Sequence, residues 1–180
     1  MFGRLFAKDP LKARARVLYD AVLEAARRPA LYGANGAPDT VDGRFDLIVL
    51  HAILLLRRLR DGGESGKRLA QLVFDIMFDD MDAALREMGT GDLSVGKRIK
   101  AMGEAFYGRA KAYEAALAAG DESALAEAMS RNMFDGDAGA GPKAAAFARY
   151  AMTCAAQLAD QAPQALIEGE TPRFARSLIG

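Results

Sequence analysis

A chain of 180 residues that is 51% hydrophobic and 27% charged is long enough for one good core, short for two and too apolar to be disordered. Its 24 basic and 24 acidic residues cancel, so no global field draws it to nucleic acid, and electrostatic partners must be read from local patches. A lone cysteine, Cys154, and a lone histidine, His51, exclude an internal disulfide and a Cys/His metal cluster, which fits a reduced, cytoplasmic compartment.

The N-terminus, MFGRLFAKDP, has no secretory hydrophobic region and no transit-peptide character. Phe2, Leu5 and Phe6 beside Arg4 and Lys8 suit either a transient contact with a membrane surface or packing on the domain. Asp9 and Pro10 predict a helix start, and Leu11, Ala15, Leu18, Val22 and Ala25 lie on one helical face as far as Arg28. From Pro29 to Asp46 the chain is rich in Gly, Pro, Asn and Asp, which predicts an ordered loop tied down by Tyr32 and Val41.

Phe45 to Arg60 is apolar on nearly every side, as expected of a central helix; its longest apolar run, Leu47 to Leu56, is too short to cross a bilayer. A third helix is predicted from Ser65 to Met88, with Leu69, Leu72, Val73, Ile76, Met77, Met81, Ala84 and Met88 facing inward. Ser94 is the predicted cap of a fourth helix whose stripe is Val95, Ile99, Met102, Phe106, Tyr113 and Leu117. Its Gly96, Gly103 and Gly108 suggest close backbone packing. A fifth helix starts at Asp121 or Ser123 and runs to Met133, and a sixth starts at Pro142 and carries Phe147, Ala151, Cys154 and Leu158 on one side. Gln164 to Ile167 and Phe174 to Ile179 are expected to form short terminal turns. No segment keeps a period of two, so the reading is an all-α single domain, an irregular bundle of about six helices.

Few motifs in this chain carry chemistry. Gly91 to Arg98 nearly spells a phosphate-binding loop, but Arg98 stands where Ser or Thr should hold magnesium and no strand precedes it. Asp79, Asp80 and Asp82 could hold magnesium for a diphosphate, yet Ala83 replaces the last aspartate of that pattern, so a solvated acidic face is the better reading. Asp75, Asp79 and Asp82 share the outer face with Arg86, whereas Asp80 falls within the apolar stripe and needs a partner. Arg98 or Arg109, on the borders of the fourth helix's stripe, would supply it as a clamp across the hairpin. Lys97, Lys100 and Lys111 share the exposed side of the fourth helix with Glu104 and Tyr107, and Phe74 and Phe78 stand at the edge of the third. Phe74, Asp75, Phe78, Asp79, Asp82, Lys97, Lys100, Tyr107 and Lys111 are the candidate partner-binding set, weighed against ordinary solvated surface. His51 reads as a hydrogen-bonded core residue and Cys154 as a small apolar one.

The stretch FDDMDAALREMGTGDLSVGKRIKAMGEAFYGRAKAY resembles the signature region of the ubiquinol-cytochrome c chaperone family, and PDTVDGRFDLIVLHAILLLRRL resembles that family's first half; together they cover about residues 37–118. The resemblance implies an all-α protein without enzymatic activity, cofactor or metal that assists assembly of the cytochrome bc1 complex. It implies cytochrome b, or another subunit of that complex, as client, with a small partner protein in mitochondrial members, and the chain looks like a compact bacterial member. A cytoplasmic location is expected, peripheral at the cytoplasmic face of the inner membrane. The rival readings are a magnesium-dependent diphosphate enzyme using Asp79, Asp80 and Asp82, and a generic helical scaffold.

Overall fold

A computed structural model describes residues 9–178, and the amphipathic N-terminal segment with Phe2, Leu5 and Phe6 lies outside them. Seven α-helices follow in order: α1 (Pro10–Ala26), α2 (Val41–Arg60), α3 (Gly63–Glu87), α4 (Asp92–Ala119), α5 (Glu122–Met133), α6 (Gly141–Ala159) and α7 (Pro163–Glu168). Short 3-10 turns occupy Pro29–Leu31 and Ala138–Ala140, and no strand occurs among the described residues. The expected all-α class is therefore the observed one, with α7 a helix rather than a loose turn. No helix among these residues is long and apolar enough to cross a membrane.

Side chains define most of the helix starts. The Asp9 carboxylate accepts from the Leu11 amide at 3.0 Å, Thr40 Oγ1 from Gly43 at 3.1 Å, and Asp121 from Ala124 at 2.9 Å. Thr40 lets α2 begin a turn earlier than Phe45. Ser94 caps nothing: α4 starts from Gly91, leaving Ser94 inside its first turn.

The core forms around α2, which packs against all six other helices. Leu47, Leu50, Leu55 and Leu59 are fully buried, each stabilising the fold by about 2 kcal/mol through apolar surface removed from water. His51 is buried among them. Its Nδ1 lies 2.7 Å from the Leu47 carbonyl, which can only accept, so Nδ1 carries the proton and Nε2 accepts from the Tyr150 hydroxyl at 2.7 Å. Burial pushes this imidazole down to about 4. Cys154 is a buried core residue whose Sγ accepts the Ala175 amide at 3.3 Å.

The C-terminal segment after α7 is strapped onto this core. Arg28 donates to the Phe174 and Ala175 carbonyls at 3.1 and 2.6 Å, and buried Gln161 donates to Thr171 O and accepts from Arg173 N. Phe174 meets His51 edge-on at 5.1 Å. In the loop, Tyr32 donates to Ala26 O at 2.7 Å as expected, but Val41 is 67% exposed, and buried Leu31 and Ala37 anchor the turn instead.

The inward stripe of α3 is correct up to Met81 and then departs from the expected one. Leu85 is buried, while Ala84 lines an open cleft facing Tyr19 and Leu23 of α1 and Met88, the residue that caps the end of α3, is exposed. The glycines of α4 also differ from expectation. A Cβ at Gly96 or Gly108 would meet nothing within 4 Å, and at Gly103 only Phe78 at ordinary contact distance, so no close packing requires them.

Candidate protein-binding groove

Antiparallel α3 and α4 diverge over α2 and leave an open groove of about 560 Å³. Ile53 and Leu56 of α2 and Ala70 of α3 contribute its aliphatic lining. Its aromatic wall comes from Phe74, Phe106 and Tyr107. Phe74 packs edge-on to Phe106 at 5.1 Å and tilted against Tyr107 at 5.7 Å, while Phe78, one turn along α3, stacks on Phe74 at 4.6 Å without lining the groove. Phe106 and Tyr107 are adjacent in sequence and so splay apart on the helix: Phe106 is buried and Tyr107 is 63% exposed.

Polar groups ring this apolar surface. Arg60, at the end of α2, pairs with Glu114 of α4. Lys67 is held by Glu64 at 2.8 Å, and Gln71 donates to the Asp75 carboxylate at 2.7 Å. Lys111 lines the groove and has no ion-pair partner among the described residues.

Of the residues singled out from sequence, Phe74, Tyr107 and Lys111 come together here. Asp75 and Asp79 are exposed on α3, Asp82 is half-buried and paired with Arg86, and Lys97 and Lys100 are exposed toward the start of α4, away from the groove. The expected clamp between α3 and α4 is not formed. Asp80 pairs with Arg16 of α1 at 2.9 Å on the opposite side of α3, Arg98 is exposed, and Arg109 pairs with Asp46 of α2 at 2.7 Å. Helical phase placed Asp80 within the apolar stripe, but its side chain is 37% exposed at the edge of that stripe, where Arg16 of α1 reaches it.

Asp79, Asp80 and Asp82 do not converge, since one faces solvent and the others are bound by different arginines. No group of three acidic, His or Cys side chains suited to a metal occurs among the described residues. The groove residues missed from sequence are chiefly Arg60 and Glu114, an exposed-looking pair 54 positions apart with no local pattern to join them.

Outside the groove lining, the Asp46–Arg109 pair tethers α4 to α2, with Arg109 also donating to Asn132 O at 3.0 Å. Burial pushes the Asp46 carboxyl up to about 6, against the attraction and hydrogen bond of Arg109.

Residues 33–174, which include the whole groove, match the family described as Ubiquinol-cytochrome C chaperone. The chain is 25% identical over 130 residues to ubiquinol-cytochrome c reductase complex assembly factor 1 of Mus musculus, covering 72% of this chain and 44% of that protein. It is 26% identical over 133 residues to the protein of that name from Drosophila melanogaster, covering 71% and 51%. The chain thus spans about half the length of these curated relatives. A crystal structure of the Cbp3 homolog from Brucella abortus superposes with a TM-score of 0.82 at 36% identity, covering 92% of this chain and 91% of that one.

Proposed function

The chain belongs to the ubiquinol-cytochrome C chaperone family, and we propose that it is a non-enzymatic assembly factor for the cytochrome bc1 complex, ubiquinol-cytochrome c reductase, that holds newly made cytochrome b. The observation that supports a holding role is the groove itself. An aromatic wall and an aliphatic lining, open to solvent and ringed by charge, suit the apolar face of one helix of a client. Phe74 and Tyr107 would anchor it, with Phe78 and Phe106 backing them.

The groove is aromatic and aliphatic rather than methionine-lined, which favours a few defined anchors over a re-packing surface. Lys111 at its edge, Lys97 and Lys100 further along α4, and Asp75, Asp79 and Asp82 on α3 set the orientation of the client or of a small partner protein. Exposed charges contribute little affinity each but steer encounter and allow release. The working location is the cytoplasmic face of the inner membrane, where a membrane-bound client emerges.

The test is co-purification of cytochrome b with the tagged chain. Tyr107→Ser and Phe74→Ser together should reduce capture by about tenfold or more, as truncation of buried anchors does. Capture that survives both changes, and also survives reversal of Lys97, Lys100 and Lys111 to Glu, contradicts the assignment.

A further inference from the structure

The hairpin tip joining α3 to α4 lies outside the groove, and apart from Val95 and partly buried Ile99 no large hydrophobic side chain of the tip packs on the core. Between Arg86 and Lys100 the only buried residue is Val95. Among the described residues just five large hydrophobic side chains are exposed, and two of them, Met88 at 58% and Leu93 at 90%, stand five positions apart on this tip.

Charge surrounds these two side chains unevenly. The tip carries four cations, Arg86, Lys97, Arg98 and Lys100, against two carboxylates, Glu87 and Asp92. Arg86 is shared between Asp92 and Asp82, so it adds no free positive charge, and the cations left on the tip are Lys97, Arg98 and Lys100 against Glu87. The first two of these have no ion-pair partner among the described residues, and Lys100 reaches Glu104 only at 3.9 Å with both side chains exposed. At about 100° per residue, Leu93, Lys97 and Lys100 share one face of α4.

We propose that this tip is a membrane-docking point for an anionic phospholipid bilayer: Leu93 and Met88 enter the headgroup region while Lys97, Arg98 and Lys100 meet lipid phosphates. A protruding apolar point with a cationic collar fits a fluid, negatively charged surface that closes around it, whereas a protein partner would need a matching cavity. Two weak signals together give reversible attachment. Tyr107 lies about 21 Å along α4 from Leu93, so a docked tip holds the groove a short distance from the surface. The inference gives a surface to the peripheral location proposed above, but its test needs only protein and lipid, so it succeeds or fails independently of client capture.

The purified full chain should co-sediment with phosphatidylcholine vesicles containing roughly a third phosphatidylglycerol, weakly with phosphatidylcholine alone, and little at about 0.5 M salt. Leu93→Ser should weaken binding about tenfold or more. Lys97→Gln, Arg98→Gln and Lys100→Gln together should weaken it on the order of a hundredfold, about fivefold per cation. These side chains are exposed, so helix content measured by circular dichroism should not change. Absence of binding by the unaltered chain overturns the proposal, as does binding that survives both tip variants, which would point to Phe2, Leu5 and Phe6. Loss of cytochrome b capture by Leu93→Ser without any lipid binding would assign the tip to a protein and equally overturn it.

Discussion

Arg109 of α4 donates to the Asp46 carboxylate of α2 at 2.7 Å, and the carboxylate side chain is 8% and the arginine side chain 15% exposed. The same guanidinium reaches the carbonyl of Asn132 near the end of α5, so one side chain ties three helices. Helix α4 needs such a tether, because over 28 residues it buries only Val95, Phe106, Tyr113 and Ala116. Arg109→Ala leaves a buried carboxylate uncompensated and should cost about 3 kcal/mol or more in urea denaturation. A loss below about 1 kcal/mol would contradict this role.

Two buried groups give opposite pH dependences that mask one another. Asp46 holds its proton up to about 6 in the folded chain against an ordinary 3.8, so its contribution is greatest at low pH and is lost as pH rises through about 6. His51 stays neutral down to about 4 against an ordinary 6.5, so its contribution is full above 6.5 and is lost as pH falls through about 4. Each is worth on the order of 3 kcal/mol across its window. Asp46→Asn should therefore unmask a loss of stability as pH falls from 6.5 toward 4, and His51→Gln a loss as pH rises over the same range. Denaturant titrations across that range read the slopes, and flat profiles in both variants would contradict the assignment.

The Asp80–Arg16 pair is partly exposed, with side-chain accessibilities of 37% and 47%. Surface pairs of this kind contribute little, so Asp80→Asn should change stability by no more than about 1 kcal/mol. A loss comparable to that of Arg109→Ala would mean that Asp80 has an inward partner after all.

Glycines separate into two classes by substitution. A Cβ at Gly66, at the start of α3, would overlap the Leu59 carbonyl across the α2–α3 turn, so Gly66→Ala should be strongly destabilising. Gly96 and Gly108 face open space within α4, and Ala at either should stabilise by about 1 kcal/mol through helix propensity. Melting temperatures of the three variants decide this. Destabilisation by Gly96→Ala would restore the close-packing reading.

Six of the helices, most of their faces up to Met81 on α3, and the buried nature of His51 and Cys154 were legible in the sequence, because a 3.6-residue apolar period reports directly on burial, whereas the short α7 carries too few turns to show one. What the period cannot report is which helix lies on which border. Phase gives Asp80 a need for a partner and offers Arg98 or Arg109 for it, but α1 supplies Arg16 to Asp80 and α2 supplies Asp46 to Arg109, from 64 and 63 positions away. The same limit explains the groove: Phe74 and Tyr107 stood out as edge aromatics, whereas Arg60 and Glu114 became neighbours only when α2 and α4 met. Met88 read as core because its phase continues the apolar stripe, whereas α3 ends at Glu87 and leaves Met88 as its exposed cap.

Groove and tether make separable claims. Tyr107 is 63% exposed, so Tyr107→Ser should leave the denaturation midpoint nearly unchanged while lowering client capture, whereas Arg109→Ala should lower both. Equal losses of stability and capture in the two variants would mean that the groove acts only through folding.

The most direct test of the central claim is deletion of the coding sequence followed by quantification of assembled cytochrome bc1 complex and its b haem. Both should fall severely, recover with the unaltered gene, and recover poorly with the Phe74→Ser, Tyr107→Ser form. Normal bc1 complex and b haem in the deletion strain would contradict it.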